Sequence, residues 1–358
     1  METVSDESSM YLLVGTYTAS ESEGIYVYQF DTISGYSKYV DMAKVENPSY
    51  LVVSNNEKFV YSVTEVGEDA AANAFSFDKS TGKLELLNSL PTGGADPCYI
   101  NIGKKDKHIV TANYSGGNVT LLNTKDDGSL NEVLHIFTFT GKGVDPNRQN
   151  KPHIHCVQYS PDGKYLYATD LGTDKIHKFD INASPDDYLR IGTPSFIKVA
   201  DGSGPRHLEF HPNGKYAYLI NEISGTVIGF NYNDENGNLT EFQTIQADTL
   251  NAQGSGDIHI TPNGKYIYAS NRLKGDGLAI FSIDQTNGKL TKVGYQETGA
   301  HPRNFVITPN GKYLLVASRD NNVIQVFAID NNTGLLENMY KDIELDMPVC
   351  LKFVSYKE

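Results

Sequence analysis

The chain has 358 residues, with 32 glycines, 23 tyrosines, 15 phenylalanines, no tryptophan and a formal net charge of −14 at pH 7. This charge argues against nucleic acid or an anionic membrane as a partner, because the long-range field of the protein repels both. The first ten residues, METVSDESSM, lack the basic and apolar segments of a secretory signal, and no apolar run approaches a membrane span, so we expect a cytoplasmic protein.

A short polar tail, predicted to be flexible over residues 1–10, is followed by the alternating run YLLVGTYT, which is typical of a strand. Three features then recur about every 50 residues: a strand start that proline commonly leads, a polar turn such as PNGK, and an outer turn such as TGKL. The seven strand starts are NPSYLVVS (47), DPCYINIG (96), HIHCVQYSP (153), GPRHLEFHP (204), GSGDIHITP (254), HPRNFVITP (301) and MPVCLKFV (347).

Each repeat predicts four antiparallel strands, because Asn-Gly and Asp-Gly between alternating apolar runs are strong hairpin signals. A four-stranded unit of this length is typical of a propeller blade. We therefore predict an all-β, seven-bladed β-propeller that forms a single domain over residues 11–358. The last repeat ends after one strand, and the chain opens on a second-strand pattern, so we expect the two termini to pair and close the ring.

In such a blade the start of the first strand lies beside the end of the second strand, on one face of the disc. Aligning the repeats on their turns predicts two rings of residues around this face. From the first strands the ring is Ser49, Cys98, His155, Arg206, Gly256, Arg303 and Val349, and from the second strands it is Tyr17, Glu65, Tyr114, Leu171, Glu222, Arg272 and Arg319.

The use of arginine points to an anion-binding site at this face. The chain has 24 lysines but only six arginines, of which four lie in the rings and a fifth, Arg148, precedes His153 and His155. A guanidinium group is favoured where a carboxylate or phosphate must be held at two points. An alternative is that these arginines only neutralise Glu65, Asp170 and Glu222 across the channel.

Other chemistries have little support. Neither a GxSxG nor an HExxH motif is present, which disfavours a serine hydrolase or a zinc protease. The three cysteines have no metal-ligand spacing and are expected to be buried small hydrophobes in a reducing compartment. Polar side chains at Asn113, Asp170, Asn221 and Asn271 suit a hard cation, but neighbouring arginines make that unattractive, so we expect no metal and no cofactor. We assign His207 and His211 to packing.

Three stretches resemble the bacterial seven-bladed 6-phosphogluconolactonase family: NRQNKPHIHCVQYSPDGKYLYATDLGTDKI (147–176), GPRHLEFHPNGKYAYLINE (204–222) and ASNRLKGDGLAIFSID (269–284). The same fold family includes a fungal carboxy-muconate cyclase. The resemblance implies hydrolysis of 6-phospho-D-glucono-1,5-lactone to 6-phospho-D-gluconate, a step of the pentose phosphate pathway. It places the catalytic set on His155 (or its neighbour His153), Arg206, Glu222 and Arg272.

For this reaction we predict His155 or Glu222 as the general base and Arg206 and Arg272 as oxyanion stabilisers. The predicted substrate-binding residues are His153, Arg148, Arg303, Arg319, Asp170 and Asn221, with the phosphate assigned to the three arginines. Two alternatives stay open. One is a lactonase or cycloisomerase for another acidic sugar or muconate-type lactone, and the other is a non-catalytic propeller that binds a protein partner.

Overall fold

The computed structural model describes residues 8–182, 184 and 187–356, and these residues form seven β-sheets. Residues 1–7 of the predicted flexible tail lie outside this range, whereas Ser9 and Met10 already belong to the first strand. No helix among the described residues is long and apolar enough to cross a bilayer.

Each of the seven sheets corresponds to one predicted repeat. Blade 1 contains β1 (Ser9–Thr16), β2 (Gly24–Asp31) and β3 (Ser37–Lys44). Blade 2 contains β4 (Leu51–Val53), β5 (Phe59–Thr64), β6 (Ala71–Asp78) and β7 (Lys83–Pro91). Blade 3 contains β8 (Pro97–Ile102), β9 (His108–Asn113), β10 (Asn118–Thr124) and β11 (Leu130–Thr138). Blades 4 and 5 contain β12 (Ile154–Tyr159), β13 (Tyr165–Asp170), β14 (Lys175–Ile181) and β15 (Leu189–Lys198), then β16 (Pro205–Phe210), β17 (Tyr216–Asn221), β18 (Thr226–Tyr232) and β19 (Leu239–Gln246).

Blades 6 and 7 complete the ring. They contain β20 (Ser255–Ile260), β21 (Tyr266–Asn271), β22 (Gly277–Ile283) and β23 (Leu290–Glu297), then β24 (Pro302–Ile307), β25 (Tyr313–Ser318), β26 (Val323–Ile329), β27 (Leu336–Asn338) and β28 (Ile343–Glu344). Blade 7 departs from the predicted four strands, because its outer edge is divided into β27 and β28, which both pair with β26. Between them Tyr340 adopts a positive φ of 52°, which interrupts the extended backbone.

The ring closes between the two ends of the described chain. Strand β29 (Pro348–Ser355) pairs antiparallel with β1, from Met10 opposite Ser355 to Thr16 opposite Pro348. It supplies the inner strand of blade 1, which confirms the predicted closure. The shared ladder means that β1 is not left as an unpaired edge strand.

Tyrosines on the second strands tie neighbouring blades together. The hydroxyl of Tyr167 donates to the carbonyl of Gly237, in the outer turn of the next blade, at 2.6 Å. The same contact to the next outer turn is made by Tyr61, Tyr218 and Tyr268. Each buried ring thus fills the space between two sheets while its polar end is satisfied, which accounts for part of the high tyrosine content.

A β-bulge interrupts the beginning of six inner strands. In blade 5, Pro205 pairs with Asn221 and His207 pairs with Ile220, so Arg206 is the extra residue. A bulge adds one residue to one strand and re-aims its side chain. The residues set apart in this way are Cys98, His155, Arg206, Gly256, Arg303 and Val349, which we call the axial bulge residues. They are six of the seven residues predicted for the first-strand ring.

The residue after each axial position lies one level deeper in the channel. These residues, which we call the floor ring, are Tyr50, Tyr99, Cys156, His207, Asp257, Asn304 and Cys350, and all seven are buried. Tyr50 stacks on Tyr99 with ring centroids 3.9 Å apart, and both rings meet the edge of His207. Because Tyr50 and His207 come from blades 2 and 5, their contact spans the axis and closes the channel beneath the predicted site.

Candidate active site

The face of the disc that carries the axial bulge residues opens into the channel, and we call this opening the mouth. Glu222 is the centre of the polar cluster at the mouth. It directly follows β17, and its backbone N–H donates to the carbonyl of Gly204 at 2.7 Å. Its Oε2 accepts hydrogen bonds from Arg206 Nε at 2.9 Å and from Arg272 Nη2 at 3.1 Å, while Oε1 accepts from Arg148 Nη2. Three arginines that are distant in sequence therefore converge on one carboxylate, and we call these four residues the Glu222 cluster.

Each arginine of the cluster is also held by contacts other than the one to Glu222. Arg206 Nη1 donates to the carbonyl of Gly256 at 2.7 Å, and Arg272 Nε donates to the carbonyl of Gly254 at 2.7 Å. The loop that carries Arg148 is fixed by its neighbour Gln149, whose buried amide donates to Leu171 O at 2.9 Å and to Asp174 Oδ1 at 2.8 Å. The guanidinium groups are thus preorganised before any substrate binds.

The charges in the cluster shift one another's pKa values strongly. Burial alone would raise the pKa of Glu222, but Arg272, Arg206 and Arg148 together lower it to about 2. Burial is the main reason that the pKa of Arg272 falls to about 9, and Glu222 opposes this fall. At neutral pH the carboxylate is ionised and the guanidinium groups are charged, so Glu222 is a weak proton acceptor and serves to hold three cations in place.

Replacing Glu222 with glutamine is expected to lower the free energy of unfolding at pH 7 by about 3 kcal/mol, because a pKa change from 4.5 to about 2 corresponds to about that energy. The folded-state pKa is lowered, so the stabilisation is complete above pH 4.5 and is lost as the pH falls toward 2. Urea unfolding followed by circular dichroism at pH 7 and at pH 3 measures this difference.

The matched control for this measurement is Glu337→Gln on the exposed outer strand β27, which is expected to change the free energy of unfolding by less than about 0.5 kcal/mol. A Glu222→Gln variant as stable as this control at pH 7 would show that the carboxylate does not offset the buried cations.

Arg303 is a second feature of the mouth, and it lies outside the Glu222 cluster. Its guanidinium sits over the ring of Tyr17 at 5.5 Å, while the Tyr17 hydroxyl donates to Glu65 Oε2 at 3.0 Å. Burial opposes the charge of Arg303, but Tyr17 and Glu65 raise the pKa of the guanidinium above its usual value. Among the mouth arginines of the described chain, only Arg303 makes no hydrogen bond or salt bridge to a protein group, so its five donors remain available to a ligand.

Two histidines predicted for the site have different surroundings. His153 precedes β12, its ring stacks on Tyr114 at 4.4 Å, and its Nδ1 lies 3.0 Å from the carbonyl oxygen of Tyr114. A carbonyl only accepts, so Nδ1 carries the proton and Nε2 has a free lone pair. Burial lowers the pKa of His153, which keeps the ring neutral at pH 7.

His155 is an axial bulge residue inside the channel wall. Its Nδ1 lies 3.7 Å from the sulfur of Cys98, and its ring meets that of His207 edge-on. Burial is the main cause that depresses the pKa of His155 well below its usual value, and Arg206 and His207 lower it further. A ring that binds a proton so weakly is a poor general base near neutral pH.

The remaining predicted residues are placed differently. Arg319 lies at the rim, where Nε donates to Asp320 Oδ1 at 2.6 Å and Nη2 lies 3.3 Å from His301 Nδ1. Asp170 is fully buried and accepts from the backbone N–H groups of His153 and Gly172 and from the Thr173 hydroxyl. Asn221 is also fully buried and donates to the hydroxyl of Thr226 at 3.0 Å. The structure thus uses Asp170 and Asn221 within their own blades and does not bring them to the Glu222 cluster.

Two histidines that the sequence did not assign to the site contact its arginines. Arg272 Nη1 donates to His301 Nε2 at 3.2 Å, and Arg206 Nη1 lies 3.2 Å from His207 Nε2. His301 adopts a positive φ of 60° immediately before Pro302, where other blades have Asn47, Asp96 and Gly204. Met347 has a φ of 47° at the same place, and histidine tolerates this backbone as asparagine and aspartate do, so no signal in the sequence identifies His301.

The chain is similar to proteins of one family over nearly its whole length. The family model for "Lactonase, 7-bladed beta-propeller" matches residues 11–353. A 6-phosphogluconolactonase from Formosa agariphila is 37% identical over 353 residues, which cover 96% of this chain and 99% of that protein.

Solved structures agree with this match. The crystal structure of a provisional 6-phosphogluconolactonase from Bacteroides fragilis superimposes with a TM-score of 0.96 at 58% identity, covering 99% of this chain and 100% of that one. A periplasmic gluconolactonase from Pseudomonas aeruginosa superimposes with a TM-score of 0.92 at 33% identity, covering 98% and 100%. The chain therefore belongs to the lactonase family of seven-bladed β-propellers.

Proposed function

We propose that this chain hydrolyses 6-phospho-D-glucono-1,5-lactone to 6-phospho-D-gluconate at the mouth of the propeller. The observation that carries this proposal is the convergence of Arg148, Arg206 and Arg272 on Glu222. Beside them, Arg303 contacts the ring of Tyr17 and has no hydrogen-bond partner among the described residues. A substrate with a phosphate and a carbonyl that becomes an oxyanion needs cations at two places. Relatives named 6-phosphogluconolactonase support the same substrate class.

We assign the general base to His153 in place of His155 or Glu222. Its Nε2 is unprotonated, whereas the pKa of Glu222 is about 2 and that of His155 is well below its usual value, mainly through burial. Nε2 removes a proton from water as the water oxygen bonds to the lactone carbonyl carbon, and the π electron pair moves onto the carbonyl oxygen. When the C=O bond re-forms, the ring C–O bond breaks and the leaving oxygen takes the proton from His153.

The arginines have distinct roles in this proposal. Arg206 uses Nε and Nη1 for protein contacts, so Nη2 is left to stabilise the oxyanion. Arg272 has all three nitrogens engaged and positions Glu222. Arg303 binds the phosphate, with Arg319 on the rim as a second contact.

A phosphorylated substrate also agrees with the cytoplasmic location expected from the sequence, because charged phosphate esters do not cross a bilayer readily.

The direct test is a lactone panel with purified protein. Acid release from enzymatically generated 6-phospho-D-glucono-1,5-lactone is expected to exceed the spontaneous rate and to survive EDTA. Unphosphorylated glucono-1,5-lactone is expected to react with kcat/KM lower by about tenfold or more, since a charge-assisted hydrogen bond contributes about 1.5–3 kcal/mol.

Two outcomes of the panel would contradict the proposal. A rate no faster than spontaneous hydrolysis for every lactone, including a muconolactone, rejects a lactonase. Equal kcat/KM for the phosphorylated and unphosphorylated sugars removes the phosphate contact assigned to Arg303.

A further inference from the structure

Three polar residues that the proposed mechanism has not used, which we call the triad, are His207 and Asp257 of the floor ring and His259, two residues after Asp257. Asp257 Oδ1 lies 2.7 Å from His207 Nδ1, and Asp257 Oδ2 lies 3.1 Å from His259 Nε2. Asn304 donates its amide to the same carboxylate, and the Phe305 N–H donates at 3.3 Å. The carboxylate is therefore saturated with donors at the centre of the propeller, directly below the Glu222 cluster.

The protonation state of the triad follows from these contacts. Burial alone would raise the pKa of Asp257, but His259 and the hydrogen bond from His207 hold it well below its usual range. Burial opposes the charge of His259, but Asp257 and Glu209 raise its pKa to about 10, so His259 is an imidazolium. His207 is instead neutral, because burial and then Arg206 lower its pKa to about 4.

The tautomer of His207 is fixed by its position between Asp257 and Arg206. An ionised carboxylate only accepts, so His207 Nδ1 must carry the single proton of the neutral ring. The lone pair of Nε2 then points at Arg206 Nη1, 3.2 Å away, and accepts a hydrogen bond from it. The opposite tautomer would place an N–H against a guanidinium and leave Asp257 without this donor.

These contacts determine where the free nitrogen of Arg206 points. Glu222 fixes Nε, while Gly256 O and His207 Nε2 both fix Nη1. Because the guanidinium is planar, holding Nε and Nη1 also sets the direction of Nη2, the group assigned to the oxyanion. Within the described chain Nη2 has no hydrogen-bond partner.

We propose that His207 and Asp257 are positioning residues for the lactonase reaction: Asp257 holds His207 in the Nδ1–H tautomer, and His207 Nε2 orients Arg206 toward the developing oxyanion. This inference rests on the proposed function for its kinetic consequence. The hydrogen-bond arrangement itself is independent of which lactone is the substrate. The pair acts from below the site and does not touch the substrate.

Two substitutions at His207 separate this role from that of a hydrogen-bond donor to Asp257 alone. His207→Asn keeps a donor at the δ position for Asp257 and removes the acceptor at the ε position. His207→Gln keeps an acceptor at the ε position for Arg206 and removes the δ donor. We expect kcat of the Asn variant to fall by about tenfold or more with KM within about threefold, and kcat of the Gln variant to stay within about threefold of wild type.

The reverse order, with the Asn variant active and the Gln variant impaired, would assign His207 to the stability of Asp257 alone and overturn the proposal. Equal losses of kcat in the two variants would overturn it as well, provided that both unfold at the same urea midpoint as wild type. An acceptor at the ε position would then fail to rescue catalysis.

A second readout does not depend on lactonase activity. Long-range ¹H–¹⁵N correlation spectra of ¹⁵N-histidine-labelled protein, with the His207 signal identified by its absence from the Gln variant, report which ring nitrogen carries the proton. We expect Nδ1 protonated and Nε2 unprotonated at pH 7. A protonated Nε2 overturns the proposal whatever the kinetics. If wild type hydrolyses none of the lactones, the proposed function fails while this spectrum still decides the tautomer.

Discussion

Replacing His153 with asparagine is expected to lower kcat for lactone hydrolysis by about 10²- to 10⁴-fold, the contribution usual for a positioned general base. Asparagine lacks the ε nitrogen and the ring that stacks on Tyr114. It keeps an N–H at the δ position for the carbonyl of Tyr114, which His153 Nδ1 contacts at 3.0 Å. The fold should therefore be preserved. Initial rates over a range of substrate concentrations, corrected for spontaneous hydrolysis, measure the loss.

The pH profile is a second part of this test. A base must be unprotonated, so kcat/KM should fall as the pH drops through the pKa of His153. Burial lowers this pKa, hence the acidic limb should have its midpoint below 6.5, with a plateau above it. His155→Asn is the matched control. If that variant loses the activity and His153→Asn retains it, the base is the axial histidine.

Replacing Arg206 with alanine is expected to lower kcat by about 10²- to 10³-fold, the effect seen when one oxyanion donor is removed from a preorganised site. Glu222 keeps Arg148 and Arg272 in this variant, so the carboxylate stays paired. Arg206→Lys should be almost as impaired, because one ammonium cannot meet Glu222, Gly256 O and His207 while also reaching the substrate.

The exposed Arg190, which pairs only with Asp187 among the described residues, provides the control. Arg190→Ala should have wild-type kcat and KM. A loss confined to KM in Arg206→Ala would mean that this arginine binds the ground state and the transition state equally, and would remove it from the role of oxyanion stabiliser.

The sequence was sufficient to predict the blades and their closure because local signals repeat. The PNGK turns need a residue with positive φ, and Gly214, Gly264 and Gly311 occupy that position with φ of 69–71°. Both rings of the mouth follow from this register, since ring positions are counted from these turns. Arg206, Glu222 and Arg272 could therefore be assigned to one site before any coordinates were known.

Contacts that depend on the bulges could not be predicted in this way. Alternation with a period of two places His153 and His155 on the same side of a strand, but the bulge between Ile154 and Cys156 breaks that period. His155 consequently enters the axis, while His153 stacks on Tyr114. The sequence analysis assigned His207 to packing because it lies within a strand, and it did not predict the contact of this ring with Arg206 beside the bulge.

The residues that each arginine contacts could not be predicted from the sequence either. The sequence predicts that Arg148, Arg303 and Arg319 bind the phosphate together. In the structure Arg148 pairs with Glu222, Arg319 pairs with Asp320, and Arg303 contacts the ring of Tyr17. These pairings depend on the conformations of long side chains and on loop paths such as the one fixed by Gln149. Neither is encoded in a repeat pattern.

The axial bulges place side chains of different chemistry at equivalent positions around the channel. Strand pairing on either side of each bulge sets where its side chain emerges. The neighbours of that position decide which side chain fits, since a Cβ at Gly256 would lie 2.6 Å from Ser270 Oγ. The natural chain already ranges from Gly256, with no side chain, through Cys98 and Val349 to Arg303 at equivalent places. A combinatorial library randomised at Cys98 and Val349, with Gly256 kept, would thus test which side chains these two bulges accept.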